Sequence, residues 1–283
     1  MLRKINIFSL ITLLLIGASC TERIDIKLDN SAVRLIVDGS VTTDSIRQKV
    51  ILTETTSYFY NQPAPAVTGA LVSISDGTSV FSLHEDSAGV YRTEEALEGV
   101  PGKKYELNIT LASPLGGYSE YKAESTLYPV NRLDSIDLKY HNDWGENGIW
   151  EVRCFVQDPP TADYYRFLVS NNNRMITDTL TEWFVTDDRF FNGNYAYGAT
   201  VAYLRQDKNN ETLSPGDTVM VEVNSIGRAY AYFIWDAQAE NAGSNPLFSG
   251  PPANVKGNVN NGALGFFSAF SITRASTTVP DNL

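Results

Sequence analysis

The sequence predicts a mainly β protein, with a β-sandwich of about immunoglobulin size in its first half and a second β-rich segment carrying a single helix. Three features predict it. Apolar residues alternate with polar ones over runs of four to eight residues along most of the chain, the period of half-buried strands. Turn signals rich in Gly, Pro, Asn and Asp separate those runs. In one segment only, from Ile226, the spacing changes to three and four, through Tyr230, Phe233 and Ala237.

The elements follow in order. Val33–Val37 is an apolar strand that the Asp38-Gly39 pair is expected to end, and Lys49–Thr53 is the next. Tyr58-Phe59-Tyr60 precedes Pro63 and Pro65 and is read as a loop or strand end. Gly69–Ile74 and Val80–Leu83 flank Asp76-Gly77, the strongest hairpin signal in the chain. Gly89–Arg92 and a strand after Pro101-Gly102 follow, the latter placing Tyr105, Leu107, Ile109 and Leu111 on one face. Residues 33–128 therefore hold five to seven short strands, as a sandwich domain does. Tyr128-Pro129-Val130 is the expected boundary of a second domain, 129–274. In it, Ile136, Leu138 and Tyr140 alternate, as do Trp150, Val152, Cys154 and Val156, then Tyr165, Phe167 and Val169. His141–Gly148 and Asp187–Gly198 read as loops carrying aromatics, and Thr218–Val223 as a strand behind the Pro215-Gly216-Asp217 turn. The helix is expected over 226–242, with Gly243 able to end it. A proline loop at 245–252, a closing strand at 264–273 after Asn261-Gly262, and a fraying polar tail at 275–283 complete the reading.

The first nineteen residues read as a processing signal. Arg3 and Lys4 precede an apolar run, Ile5–Ile16, that is too short to span a bilayer comfortably, and Gly17-Ala18-Ser19 then lead to Cys20. This arrangement resembles the lipobox of bacterial lipoproteins, although Gly17 stands where that motif usually has Leu. The resemblance implies lipidation of Cys20 with palmitate-type acyl chains, residues 20–32 being a tether. Each buried methylene adds about 0.8 kcal/mol to such an anchor. The alternative is ordinary cleavage near Ser19, leaving a free thiol.

The 283 residues carry a formal charge of −11; loss of residues 1–19 removes Arg3 and Lys4 and lowers it by two, to −13. A surface of that sign repels phosphate backbones, so nucleic acid is not an expected partner. Two His and two Cys exclude a histidine-rich metal centre or a disulfide framework, and neither His has a neighbour in sequence that suggests a partner. Cys154 lies on an apolar strand face and reads as a small buried hydrophobe.

The run Asn245–Pro252, followed by Gly257-Asn258-Val259 and Asn261–Phe267, resembles the C-terminal signature of a Bacteroidota lipoprotein family, domain of unknown function 4249. Leu35–Gly39 and Val67–Ile74 fit the same family. The resemblance implies an outer-membrane lipoprotein, often encoded beside a TonB-dependent transporter, and supplies no catalytic residue. Val67–Leu111 also resembles carboxypeptidase-regulatory, transthyretin-like modules, through the Gly-Ala-x-Val-x-Ile strand, Gly89 before Tyr91, and Gly102-Lys103-x-Tyr105. Five Asp-Ser or Asp-Thr pairs resemble the Bacteroidota O-glycosylation triplet and make Ser45, Ser87, Ser135, Thr179 and Thr218 candidate acceptors, though such pairs are also common at turns.

Chemistry-bearing motifs are few. Glu94-Glu95 and Asp187-Asp188 read as solvated charge, since acid–base catalysis needs facing carboxyls in a dry pocket. Asn142, Asp143, Glu146 and Asn147 offer oxygen ligands at a spacing that matches no calcium loop. Neither a nucleophile elbow nor a phosphate-binding glycine loop occurs, and no metal or other cofactor is expected. The richest feature is aromatic: Trp144, Trp183, Phe184, Phe190, Phe191, Tyr195 and Tyr197 lie in or beside expected loops, where a flat ring can stack on a sugar or anchor a peptide. The alternative for each is packing over the ends of the second domain. The expected function is a non-catalytic accessory lipoprotein of the outer membrane, on its periplasmic or its surface face, serving a TonB-dependent nutrient transporter and contacting a glycan or peptide. A structural or adhesive surface protein is the alternative, and a glycan-active enzyme with scattered residues a third.

Overall fold

Alternation of buried and exposed residues produces fifteen strands, and the three-four spacing one α-helix, in a computed structural model that describes residues 33–56, 62–242 and 254–281. The signal segment, Cys20, the tether, Tyr58–Tyr60, Gly243 and the proline loop lie outside the described residues. The strands are β1 (Leu35–Thr42), β2 (Lys49–Glu54), β3 (Leu71–Ser75), β4 (Val80–Ser87), β5 (Val90–Thr93), β6 (Lys104–Leu115) and β7 (Tyr118–Thr126). Then come β8 (Ser135–His141), β9 (Ile149–Gln157), β10 (Tyr164–Asn171), β11 (Arg174–Met175), β12 (Phe184–Asp187), β13 (Tyr195–Arg205) and β14 (Thr218–Ile226). Helix α1 (Arg228–Asn241) and β15 (Leu264–Thr278) close the chain. The fold is mainly β, as the alternation predicts.

Twelve strands form one sheet in the order β11-β10-β14-β15-β1-β2-β5-β4-β3-β6-β7, with β12 also paired to β10; β13-β9-β8 form a second. The long last strand serves two partners in turn. Its residues Leu264–Phe270 run parallel to β1, and Ser271–Thr278 run antiparallel to β14. The first core gathers the inward faces of β1–β7, with Leu35, Val37, Leu52, Ile74 and Leu107 packed around Phe267 of β15. A second core lies between the three-stranded sheet and β10/β14, around Trp150, Val152, Cys154, Phe167 and Val221. On the opposite face of β10, Ile226, Ala231, Ile234 and Phe270 make a third cluster beneath α1. Large apolar side chains buried this way contribute about 1.5–3 kcal/mol each.

Several expected boundaries shift, each for a physical reason. Strand β1 runs through Asp38-Gly39 instead of turning there: a Cβ on Gly39 would lie 3.0 Å from Val50 Cγ2 on β2, so the glycine serves close strand packing. The tail is not frayed as far as Val279. Strand β15 continues to Thr278, and Val279 is buried, accepting from Gly216 N at 3.0 Å and donating to Asp217 O at 2.9 Å. Tyr195 and Tyr197 stand on β13 and not in a loop. By contrast the Asp76-Gly77 hairpin forms as expected, with Asp76 Oδ1 accepting from Thr78 N and Ser79 N, and Oδ2 from Lys103 Nζ.

The stretch before β15 seals the free edge of β7. Asn260 exchanges bonds with Lys122, Oδ1 accepting from Lys122 N and its own N donating to Lys122 O. Asn261 Nδ2 donates to Glu120 O, and Asn258 Nδ2 to both Glu124 O and Phe267 O. Side-chain amides thus satisfy the main-chain groups that an uncovered edge would leave open. Two glycines allow the approach: a Cβ on Gly257 would lie 1.7 Å from Gly265 O, and one on Gly265 would lie 2.0 Å from Val37 O.

Gly257→Ala and Gly265→Ala are each expected to cost more than about 3 kcal/mol in urea unfolding, because the obstructing atoms are backbone. Gly262→Ala, at φ 74° with open space around it, is expected to cost only about 1–2 kcal/mol. The hydrogen bonds from Lys103, Ser79 and Thr78 hold the Asp76 carboxyl down at about 2. A carboxyl lowered on folding stabilises above its ordinary pKa, and that stability is lost as pH falls through the folded value. Melting temperature should therefore fall between about pH 4 and pH 2 by a larger amount in the wild type than in Asp76→Asn.

Candidate functional site

The outward face of the three-stranded sheet is built from every second residue of β8 and β9 and a bulged set on β13. Register aligns Ser135, Phe155 and Tyr197 in one row, Asp137, Arg153 and Thr200 in the next, and Lys139, Glu151 and Tyr203 in a third. Tyr197, Thr200 and Tyr203 are three residues apart, so strict alternation would send them to opposite faces. Register shifts at Tyr197/Ala199 and Thr200/Ala202 each insert one residue and return the next to the outside. Gly198, at φ 81°, occupies the first bulge.

The face joins exposed rings to committed polar groups. Tyr197 is 84% exposed and lies 4.5 Å from the Tyr195 ring, measured between centroids. Tyr203 is 52% exposed and Trp144 41%, their centroids 5.9 Å apart. Trp144 stacks with its other neighbour, His141, at 3.9 Å and 9°. Between the rings, Arg153 donates through Nε and Nη2 to the two oxygens of Asp137 at 2.8 and 2.6 Å. Glu151 accepts from Thr200 Oγ1 and bonds His141 Nε2 at 2.8 Å; these two hydrogen bonds hold its carboxyl below the usual range. Tyr197 and Tyr203 are separated by the four β9 steps from Phe155 to Glu151, about 13 Å.

The other expected contact residues are placed elsewhere. Trp183 is half-buried, its ring 4.5 Å from the Arg166 guanidinium carbon and its carbonyl accepting from Gln238 Nε2. Phe184 starts β12, with one side exposed and its ring 5.6 Å from that of Phe167. Phe190 is 92% exposed in the turn after β12. Phe191 is half-buried, packed on the second core and stacked with Tyr165 at 6.4 Å. Ser45, Ser87, Ser135, Thr179 and Thr218 all stand on the surface.

Several of the remaining polar candidates have structural partners. Both histidines meet carboxylates that sequence neighbours do not reveal, His141 with Glu151 and His84 with Glu94 at 3.6 Å, because each partner comes from another strand or strand end. Glu94 and Glu95 are exposed, whereas Asp188 is buried and accepts from Asp163 N at 2.9 Å, so it is not the solvated charge expected. Asp158 is also buried, accepting from Tyr165 OH at 2.8 Å and Gly193 N at 3.0 Å; burial pushes its carboxyl up. It borders a cavity of about 30 Å³ with Cys154, Tyr165, Phe167 and Phe191, room for little more than water. Burial pushes the Cys154 thiol up to about 12, which makes it a packing residue.

A family model described as "Domain of unknown function (DUF4249)" matches residues 21–276, most of the chain. No curated protein matches. A solved structure titled "Cytokine receptor complex - Crystal form 1A" is 13% identical, over 85% of this chain and 94% of that one, with a TM-score of 0.21.

Phe191→Ala is expected to lower stability by about 2–3 kcal/mol, less than the full cost of a buried Phe because the ring is half-exposed. Tyr197→Ala should fall within about 0.5 kcal/mol of wild type. Paired thermal melts distinguish the packed ring from the exposed one.

Proposed function

Starting from the chain's membership of the family of domain of unknown function 4249, we propose that it is a non-catalytic lipoprotein of the outer membrane that presents a ligand surface to a TonB-dependent nutrient transporter. The observation that carries the binding role is the outward face of β8, β9 and β13. Three exposed rings there, Trp144, Tyr197 and Tyr203, flank hydrogen-bonding groups already held in place. Rigid aromatic side chains bury large area at little entropic cost, and a glycan or an extended peptide offers the flat faces and polar edges they contact.

Membrane attachment is supported by the N-terminal sequence. A basic start, a short apolar run and small residues before Cys20 suit export and lipidation. Acyl chains would hold the folded part beside the membrane, with the acidic surface setting its orientation on a partner. The exposed Asp-Ser and Asp-Thr hydroxyls would accept O-linked sugars in an exported protein. The non-catalytic reading is supported by the carboxylates of this face: Asp137 is occupied by Arg153, and Glu151 by His141 and Thr200.

A mild-detergent pull-down of the tagged lipoprotein from its own membranes tests the role. A stoichiometric TonB-dependent transporter is the expected result, lost with Cys20→Ala if anchoring is needed for the complex. Recovery of the anchored protein alone would overturn the accessory role. In the same preparation, Tyr197→Ala with Tyr203→Ala is expected to weaken retention of glycan or peptide at least tenfold, with an unchanged melting temperature.

A further inference from the structure

Arg166 is 6% exposed, yet no ion pair among the described residues includes it. Arginine is rarely buried to this degree without an anionic partner, because removing its charge from water is costly. Its position follows from β10, whose two faces are both covered. Tyr165, Phe167 and Val169 point to the second core, and Arg166 projects to the other side, towards α1.

The guanidinium is bounded by three rings, from the residue before β12, from β15 and from α1. Its carbon lies 4.5 Å from the Trp183 centroid, 4.8 Å from Phe270 on β15 and 5.7 Å from Tyr230 on α1. Nε donates to Asn224 Oδ1 at 2.9 Å and Nη1 to Tyr230 OH at 3.2 Å. The remaining N–H donors, both of those on Nη2 among them, have no protein acceptor among the described residues. The acid next to its Asn224 partner is otherwise engaged: Glu222 accepts from Asn224 Nδ2 and pairs with Arg274. Asp38 acts on the Tyr230 hydroxyl but forms no ion pair with Arg166.

Ring faces offset part of the cost of burying a cation, but they do not occupy its N–H edge. Guanidinium donors without a protein acceptor, beside the half-buried Trp183 and Tyr230 and the buried Phe270, match the two oxygens of a carboxylate carried on a flat body. We propose that Arg166, walled by Trp183, Tyr230 and Phe270, is a binding site for a planar carboxylate: the two carboxylate oxygens meet the free guanidinium donors, and the flat body packs along the rings. The walls are fixed in advance. Gln238 Nε2 ties α1 to Leu180 O at 2.9 Å and to Trp183 O at 2.8 Å, and Trp235 Nε1 donates to Val185 O at 3.2 Å. The site does not depend on membrane anchoring or on a transporter.

Benzoate, with neutral benzamide as the isosteric control, tests the site on the whole folded chain by thermal melting and Trp fluorescence. Saturating benzoate is expected to raise the wild-type melting temperature by about 2–4 °C and to change the emission, whereas benzamide does neither. Arg166→Met should abolish the benzoate shift, and its unliganded melting temperature should equal or exceed that of wild type, since it removes an uncompensated charge. Arg166→Lys keeps the charge without the planar fork; it should fold and lose at least tenfold in benzoate affinity. No benzoate shift in the wild type, an equal shift in either variant, or a lower unliganded melting temperature of Arg166→Met would overturn the proposal.

Discussion

The main chain of β15 is the constraint on which the other pairings rest. Its first seven residues complete the sheet beside β1, and the next eight complete it beside β14, so one continuous backbone supplies ladder bonds to both halves of the sequence. Phe267 and Phe270, three residues apart, consequently enter different clusters, the first under β1–β7 and the second under α1. The close approach that permits this is made by Gly257, Gly265 and Val37, where backbone meets backbone with no room for a Cβ. Because β1 must wait for a partner more than two hundred residues later in the chain, much of the sheet is assembled from non-local contacts, which slows folding.

Strands with one buried face were legible in the sequence. Alternation at Tyr105–Leu111 and at Trp150–Val156 leads directly to β6 and β9, and the Asp76-Gly77 turn to the β3–β4 hairpin. The helix was legible from the spacing of Tyr230, Phe233 and Ala237, but its buried face is Ala231, Ile234 and Ala237, and Ile226, read as its start, is the last residue of β14. What local pattern could not reveal was partner choice. Nothing about Leu264–Thr278 distinguishes a strand pairing with a neighbour from one that spans two halves, and nothing about Asp38-Gly39 separates a turn glycine from one that makes space for Val50. The Asn-rich run carrying the family resemblance is likewise explained only by the edge of β7.

The candidate surface was half-legible. Trp144, Tyr195 and Tyr197 stand out as aromatics in polar surroundings, but Tyr203 does not, because two bulges decide which way it points. Rings that look equivalent in sequence then separate by what lies beneath them. Phe191 has Tyr165 and the second core under it, whereas Tyr197 has solvent over most of its surface. His141 illustrates the same limit: its partner Glu151 lies ten residues away, brought close by the β8–β9 register alone.

Arg166 occupies the position where local rules and the fold disagree. At the centre of a strand buried on both faces, an apolar residue would pack against Phe270 and Trp183 without the cost of desolvating a charge. A neighbouring asparagine and a tyrosine hydroxyl meet part of its hydrogen-bonding capacity, and Glu222, which accepts from that asparagine, is held by Arg274 instead. Stability alone therefore does not account for an arginine there. Local consistency is most often broken where a site must stay receptive to something outside the fold, and the charge left unpaired beneath the rings states the sign of that partner.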